Sequence, residues 1–373
     1  MKTYQIESID RDYASIAQEA IDNLNKPKGS LGRLESLARQ LCCIQHTIHP
    51  ALTHPCHILF GADHGIEQEG VSVSPREITW QQMINFTRGG GGINMFCRQH
   101  GFHLRIVDVG TDYDFSPELL TTEARPSDEH ESWEPHHIIN RKIAYGTNNF
   151  RYGPAMTDEQ LNRALAIGQE MVDATRAEGC NIICLGEMGI ANTSPSSIWM
   201  HFLTQAPLED CVGAGAGLAN EGIRHKLNIL QACAHTFSQT TGITPSSTLS
   251  THQLWELTRW FGGFEMVAAL GAMLRAGELK QIILVDGFIM SACMLMASQL
   301  YPQILDYAIF GHVGDESGHC RMLQAMHAQP LLHLGLRLGE GTGAICAYPL
   351  VVSAVHMLNE MDNFSHAQIT KYF

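Results

Sequence analysis

The chain has 373 residues, 45% of them hydrophobic and 17% charged, so it can bury a large core and is not a disordered protein. Its 38 acidic and 24 basic side chains give a formal net charge of −14, which argues against the basic surface that binding to nucleic acid requires. The 11 scattered cysteines are typical of free thiols in a reducing compartment, and we expect a cytoplasmic protein. Neither a signal peptide nor an unbroken apolar run of about 18 residues is apparent, so we expect no membrane association.

Two amphipathic helices are predicted first, at 1–25 and about 33–48, on either side of the turn NKPKGSLGR. Short runs rich in Ile, Val and Leu follow, and each ends in Gly with an acid or His. Such runs are typical of strands that are buried on both faces of a parallel sheet. They are CHILFGADHG (56–65), LRIVDVGTDYD (104–114), NIICLGEMG (181–189), QIILVDGF (281–288), YAIFGHVGDESGH (307–319) and LLHLGLRLGEG (331–341).

Helical patterns separate the predicted strands. This alternation predicts βαβ units with right-handed crossovers, and hence a doubly wound α/β fold, a three-layer sandwich around a parallel sheet. Residues 115–140 are acidic, contain proline and show no clear periodicity, and we interpret them as a surface excursion. The helical patterns are at 77–100, 157–178, 218–236, 255–277 and 341–358.

Acids and histidines follow the predicted strands. Ligands of open parallel sheets bind beyond the carboxyl ends of the strands, so these side chains are candidates for a site. Glycine beside them lets backbone approach a ligand closely, although any single one of them could instead be a solvated loop residue. The candidates are Asp63, His64, Asp108, Asp112, Glu187, Asp286, His312, Asp315, Glu316 and Glu340.

Glu340 lies between two glycines in LRLGEGTGA (336–344), just before a predicted helix. In a dry pocket desolvation would raise the pKa of this carboxyl group, which suits a general base near neutral pH. The alternative is a carboxylate that is favoured by the dipole at the helix N-terminus. The sequence leaves both interpretations open.

Two glycine-rich segments have more than one interpretation. GAGAGL (213–218) precedes a predicted helix, where backbone amides favour a phosphate, but it could also be a tight turn. Lys226, about two helical turns further on, could reach back towards an acidic group or be a solvated surface lysine. The run GGGGINMF (89–96) interrupts a helical pattern, which indicates close packing or close approach of a ligand.

A metal-dependent hydrolase is an alternative function. Mixtures of Asp and His can bind divalent ions, and the segments ADHG and HVGDESGH contain several of both. However, His312 and His319 are seven residues apart, which fits neither a helical i, i+4 pair nor a known zinc spacing. We therefore predict no metal site.

Taken in order, the motifs resemble those of the nicotinate-nucleotide–dimethylbenzimidazole phosphoribosyltransferase family, which makes the lower-ligand nucleotide of cobalamin. The resemblance covers nearly the whole chain apart from its extreme ends and 115–140. The main matching segments are NKPKGSLGRLESLA (25–38), GADHGIEQEGVS (61–72), YGTNNF (145–150), GPAMT (153–157), LGEMGIANTS (185–194), GAGAGL (213–218), VDGFI (285–289), GHVGDESGH (311–319) and LRLGEGTGA (336–344).

The resemblance implies a Rossmann-like parallel sheet, with a small helical domain formed by 1–50 and about 345–373, a catalytic domain at 51–344, and a homodimer. It implies transfer of phosphoribose from nicotinate mononucleotide to 5,6-dimethylbenzimidazole. By motif, Glu340 matches the catalytic base and Glu187 a second active-site carboxylate. The residues expected to contact substrate are Gly215, Ala216, Gly217, Lys226, Asp286, Gly189 and Gly314, with Gln81 and Ser74 (or Ser72) in the base pocket.

The chemistry of this reaction agrees with the residues. Nicotinate leaves as a neutral ring, so one carboxylate that takes the N–H proton of the incoming base is sufficient, and no metal or organic cofactor is expected. The segments GGGGIN, GIANT, GAGAGL and HVGDESGH depart from the GGAAIN, GIGNT, GRGTGL and HVSAE that are usual in the family. These departures put the preferred base in doubt, and they make a non-catalytic nucleotide-binding paralogue a further alternative.

Overall fold

A computed structural model describes residues 3–124, 137–215 and 217–373. Within them, one parallel sheet has the strand order β3-β4-β2-β1-β5-β6-β7. Its strands are β1 (Cys56–Ala62), β2 (His103–Gly110), β3 (Leu120–Thr121), β4 (Ile138–Asn140), β5 (Ile182–Met188), β6 (Ile282–Val285) and β7 (Ala308–Phe310).

Helices cover the sheet, and β1 is buried along its whole length, as expected of a central strand in a three-layer sandwich. The predicted α/β fold class is therefore confirmed. The helices are α1 (Tyr13–Asn23), α2 (Arg33–Gln45), α3 (Glu77–Thr87), α4 (Gly92–His100), α5 (Asp158–Ala177), α6 (Thr193–Thr204), α7 (Leu208–Cys211), α8 (Asn220–Thr241), α9 (Thr251–Phe261), α10 (Phe264–Glu278), α11 (Phe288–Leu300), α12 (His319–Ala325) and α13 (Thr342–Glu360).

Glycines divide two of the predicted helices. The pattern at 77–100 forms α3 and α4, with the glycine run between them, and a Cβ added to Gly91 would clash with the Phe86 ring. The pattern at 255–277 forms α9 and α10, separated at Gly262, where an added Cβ would lie 2.6 Å from a backbone oxygen of α9. Close packing thus accounts for these glycines.

The segment 331–341 was predicted as a strand, and that prediction is wrong. Backbone hydrogen bonds join it to the segment after β7, but they form an isolated bridge between His312 and Leu332 and not a strand of the sheet. Gly335 and Gly339 have positive φ angles, which interrupt an extended backbone. Two of its leucines are exposed rather than buried, with Leu338 62% accessible and Leu334 58%.

Both ends of the predicted excursion at 115–140 belong to the sheet, because β3 and β4 form its edge. Residues 125–136 lie outside the described residues. At the chain ends, α2 packs against both α1 and α13, and Leu24 bridges to Asn363. Since α13 also contacts β5 and β6, the division into two domains stays a prediction.

Helix α13 is long and apolar enough, by length and composition alone, to cross a membrane. Most of its apolar window is buried inside the fold, at 61%, and core helices of soluble proteins pass the same test. The sequence analysis did not identify this helix as a candidate, since polar residues interrupt its apolar run. The helix matters here because its N-terminus reaches the cavity described next.

Candidate active site

A cavity of about 450 Å³ lies at the carboxyl ends of the central strands. In the sheet β1 lies between β2 and β5, so the order of the strands changes direction at β1. Open parallel sheets bind ligands at such a switch point. The lining residues come from the segments that follow β1, β5, β6 and β7 and from two glycine-rich loops, namely from within 71–82, 187–193, 286–290 and 312–316, Gly215 and Gly217, and 336–340.

Glu340 lines the cavity from the centre of an unusual turn. Gly339, Glu340 and Gly341 all have positive φ angles, of 86°, 63° and 92°, so the side chain is presented by a backbone that glycine favours and glutamate does not. The backbone N–H of Ile93 donates to Glu340 Oε2 over 3.1 Å. The carboxylate therefore sits at the N-terminus of α4, a helix from a distant part of the chain.

The environment of Glu340 suits a general base. The residue is only 6% exposed, and burial raises the pKa of its carboxyl group. The charge of Asp286 acts in the same direction, while the amides of Ile93 and Gly92 oppose it. Burial and a helix N-terminus thus both act on this carboxyl group, and the helix is α4 and not α13; the role of Glu340 as a base stays a prediction.

Glu187, near the end of β5, is the second carboxyl group in the cavity wall. Burial raises its pKa to about 8, and the charges of Glu265, Asp286 and Glu340 add to the effect. The side-chain amide of Asn192 donates to Glu187 Oε2 and opposes the rise. Two buried carboxyl groups, both with raised pKa values, therefore face the same space.

Asp286 follows β6 and is fixed by backbone amides. Gly341 N–H donates to its Oδ2 over 3.1 Å, and Ala344 N–H donates to its Oδ1 over 2.9 Å. His312 Nε2 lies 3.3 Å from Oδ1. Burial raises the pKa of Asp286, but the hydrogen bond and charge of His312 and the backbone amides outweigh burial, so the pKa lies below its ordinary value. These contacts hold the start of α13, next to Glu340.

The glycine-rich loop 213–218 borders the other side of the cavity. Gly215 and Gly217 line it with positive φ angles of 53° and 115°. Ala216, between them, lies outside the described residues. Lys226 is not a surface lysine: it is 1% exposed, and its Nζ donates to Thr193 Oγ1 over 2.6 Å. Burial lowers the pKa of Lys226 to about 8, against the charge of Glu316.

The base pocket expected from Gln81 and Ser74 needs one correction. Ser72 and Ser74 line the cavity, but on α3 it is Gln82 that does so, whereas Gln81 is exposed. Successive residues of a helix point about 100° apart, so a shift of one position moves a side chain off the cavity wall.

Gly189 and Gly314, the remaining glycines expected to contact substrate, both line the cavity. A Cβ on Gly189 would lie 2.6 Å from the Ala62 backbone oxygen, so this part of the wall requires glycine. A Cβ on Gly314 would lie 3.1 Å from the Leu336 backbone oxygen.

The sequence analysis did not identify Glu265 as a site residue. It is fully buried in the first turn of α10, and its Oε1 lies 2.7 Å from His64 Nε2. Glu265 follows no strand, so the pattern of acids at strand ends could not indicate it. Among the described residues, no group of three or more His, Cys, Asp or Glu could hold a metal ion. His64, His312 and His319 instead contact protein groups.

A doubly wound sheet with buried carboxylates and a glycine-rich loop around one cavity can bind a phosphorylated ligand at its strand ends. A family model described as phosphoribosyltransferase matches residues 6–369. The chain therefore belongs to this phosphoribosyltransferase family, as its motifs indicated.

Individual relatives carry a more specific name. Over the full length of both chains, 373 residues, the chain is 56% identical to the nicotinate-nucleotide–dimethylbenzimidazole phosphoribosyltransferase of Bacteroides fragilis. It is 43% identical to the protein of the same name from Ralstonia nicotianae, over 98% of this chain and 96% of that one. A crystal structure of the protein of that name from Thermus thermophilus matches with a TM-score of 0.84 at 33% identity, over 98% of this chain and 100% of that one.

Proposed function

We propose that this protein transfers the phosphoribosyl group of nicotinate mononucleotide to 5,6-dimethylbenzimidazole or a related base. The products are α-ribazole 5′-phosphate and nicotinate, in the biosynthesis of cobalamin. The full-length similarity to proteins of this name supports the reaction. The observation on which the mechanism rests is the buried Glu340 carboxylate, which faces the cavity from a turn that is fixed on both sides.

In the proposed reaction the bond between the ribose C1′ and the pyridinium nitrogen breaks. Its electron pair returns to the nicotinate ring, which leaves without needing a proton. A ring nitrogen of the benzimidazole bonds to C1′, and the proton on its other nitrogen moves to Glu340. A base that is held close and has a pKa raised towards neutral pH is suited to this step.

The other acids of the cavity have electrostatic roles in this proposal. Positive charge develops on the ribose as the pyridinium leaves, and fixed negative charge nearby stabilises it. Asp286 is the group suited to this role, because its low pKa keeps it ionised and backbone amides prevent it from moving. Glu187, whose pKa is about 8, is largely neutral before substrate binds at pH 7.

The glycine-rich loop is the proposed phosphate site. Gly215, Ala216 and Gly217 are the proposed phosphate contacts, and Lys226 is proposed to supply the positive charge. In the structure the Gly217 N–H donates to the Ala214 carbonyl oxygen over 3.0 Å. A Cβ on Gly215 would lie 3.7 Å from Lys226 Nζ, so the lysine reaches the wall of the cavity at this glycine. Gly189 and Gly314 are proposed to let the nucleotide approach the wall closely.

The benzimidazole pocket is proposed to lie beside Ser74 and Gln82.

We also propose that the protein is a cytoplasmic homodimer that needs neither metal nor organic cofactor and binds neither nucleic acid nor membrane. Turnover that persists after exhaustive chelation is the expected result, and loss of turnover that added Mg²⁺ or Zn²⁺ restores would favour a metal-dependent hydrolase.

One experiment tests the proposed function directly. The protein is incubated with nicotinate mononucleotide and a panel of benzimidazoles, purines and phenols, and products are identified by mass. We expect equal amounts of nicotinate and of a ribosyl phosphate of the accepted base. Ligand binding without nicotinate release from any base would instead identify a non-catalytic paralogue.

A further inference from the structure

Three buried carboxyl groups line one end of the cavity, and a fourth, Glu265, lies behind its wall and has no role in the proposed mechanism. Glu187, Glu265, Asp286 and Glu340 are each at most 7% exposed. Like charges that are this near one another in a dry wall disfavour full ionisation, so a proton must remain in the cluster. Which residue holds it decides which residue can act as a base.

Three of the four groups have an anion site of their own at a helix N-terminus. Glu340 accepts from Ile93 N–H at the start of α4, over 3.1 Å. Asp286 accepts from the backbone of Gly341 and Ala344 at the start of α13. Glu265 lies in the first turn of α10, and its Oε1 lies 2.7 Å from His64 Nε2.

Glu187 differs from the other three. It lies at the end of a strand, and the hydrogen bond that the structure gives it comes from the side chain of Asn192. The charged groups that face it are Glu265, Asp286 and Glu340, all of the same sign, and burial acts in the same direction. Of the four, it is the one whose surroundings least favour a negative charge.

The pair formed by Glu265 and His64 lies directly behind the cavity wall. A Cβ on Gly189, which lines the cavity, would lie 3.1 Å from Glu265 Oε1 and 3.2 Å from His64 Nε2. The other oxygen, Oε2, is buried and has no hydrogen-bond partner among the described residues. Oε2 lies on the side of Gly263, and Oε1 is the oxygen nearest to the cavity wall at Gly189.

We propose that Glu265, held by His64, is a positioning residue that keeps the proton of the cluster on Glu187 and so leaves Glu340 ionised as the base. The inference rests on the proposed function for the role of Glu340. A neutral Glu187 can also donate its O–H to a ribose hydroxyl, which an ionised carboxylate cannot do.

Infrared titration of the ligand-free protein tests this without requiring activity. The carbonyl band of protonated Glu187 is assigned by its loss in Glu187→Gln. It should disappear with a midpoint near pH 8 in the wild type. In Glu265→Gln, which keeps the shape and removes the charge, the midpoint should fall by about one pH unit or more. The matched control is Glu316→Gln. Glu316 lines the cavity but is not among the charges that act on Glu187, so the midpoint of Glu187 should not move in this variant.

An unchanged midpoint in folded Glu265→Gln would overturn the proposal. If that variant does not fold, His64→Phe removes the side chain that contacts Glu265 Oε1, and the midpoint of Glu187 should again change. In kinetics, the basic limb of the pH profile of kcat/KM should move to lower pH in Glu265→Gln while the acidic limb stays in place. A merely structural role would lower kcat/KM at every pH. Infrared shifts in a protein without transferase activity would refute the proposed function and leave the proton placement intact.

Discussion

The two ends of the cavity are built differently. The carboxylate end, formed by Glu187, Asp286 and Glu340, is held by hydrogen bonds between segments that are far apart in the chain. The described residues of the glycine-loop end, 213–215, 217 and 218, form a local segment before α8, and a Cβ on Gly217 would meet nothing within 4 Å. Next to this loop lies the buried Lys226, whose side chain is held by a hydrogen bond to Thr193.

This difference in construction matches the two proposed tasks of the site, proton transfer and phosphate binding. Proton transfer requires an acceptor within hydrogen-bond reach in a defined direction, so the groups at the carboxylate end are fixed before substrate binds. A phosphate can be held by several backbone amides and one cation, and an open glycine loop can supply them when the ligand arrives. We expect substitutions at the carboxylate end to affect catalysis and folding, and those at the glycine-loop end to affect binding.

The largest expected effect is on turnover in Glu340→Gln. General bases contribute about 10²–10⁴ in rate, so kcat should fall by that factor. The amide is nearly isosteric with the acid and lies at the carboxylate end, so the dissociation constant of nicotinate mononucleotide should remain close to that of the wild type. Stopped-assay kinetics and calorimetry measure the two quantities. A kcat near the wild-type value would remove Glu340 as the base.

Glu187→Gln should stabilise the protein at alkaline pH. The folded pKa of Glu187, about 8, lies above the ordinary value of 4.5, so the folded state binds a proton that the unfolded state loses. Stability from this group is therefore lost as the pH rises from about 4.5 to about 8. The variant should be more stable than the wild type by a few kcal/mol at pH 8, and by little near pH 5. Equal differences at both pH values in denaturant titrations would contradict this.

Two glycine substitutions compare the ends directly. In Gly341→Ala, a positive φ of 92° combines with a Cβ that would clash with the His57 ring, and we expect a loss of about 2–4 kcal/mol. In Gly217→Ala the φ of 115° is also unfavourable, but the space is open, so the loss should be only about 1 kcal/mol. Thermal unfolding measures both, and equal losses would show that the two ends are equally constrained.

Lys226→Met should affect binding more than catalysis. Loss of a charged contact to the phosphate should weaken nicotinate mononucleotide binding by about ten- to a hundredfold, with a smaller change in kcat. Burial lowers the pKa of Lys226 to about 8, so the wild-type affinity should fall as the pH rises through that value, whereas the affinity of the variant should not follow this trend. An unchanged dissociation constant would place the phosphate elsewhere.

Much of the carboxylate end could be predicted from the sequence. Apolar runs that end in Gly and an acid indicated β1, β2, β5, β6 and β7, and they placed Glu187 and Asp286 at one edge of a sheet. The exception was 331–341, where alternating leucines imitate a strand although glycines with positive φ prevent one. The local sequence pattern does not show which side of a segment the rest of the fold will bury.

Contacts between distant segments could not be predicted. The glycine run at 89–92 was noted, but its role at the N-terminus of α4, beneath Glu340, depends on how α4 packs beside the loop before α13. The pair of His64 and Glu265 joins residues 201 positions apart, and Glu265 lies in a helix rather than after a strand. The choice between Gln81 and Gln82 depends on the rotation of α3, which a short amphipathic pattern leaves open.

The most direct test of the central claim, that Glu340 accepts the ring proton of the incoming base, compares two bases. 5,6-Dimethylbenzimidazole has an N–H proton, whereas its N-methylated form, 1,5,6-trimethylbenzimidazole, has none to lose. Rates of nicotinate release are measured for the wild type and for Glu340→Gln with each base. The variant should be slower by about 10²–10⁴ with the first base and as fast as the wild type with the second. An equal loss with both bases would contradict the claim, since Glu340 would then act on something other than that proton.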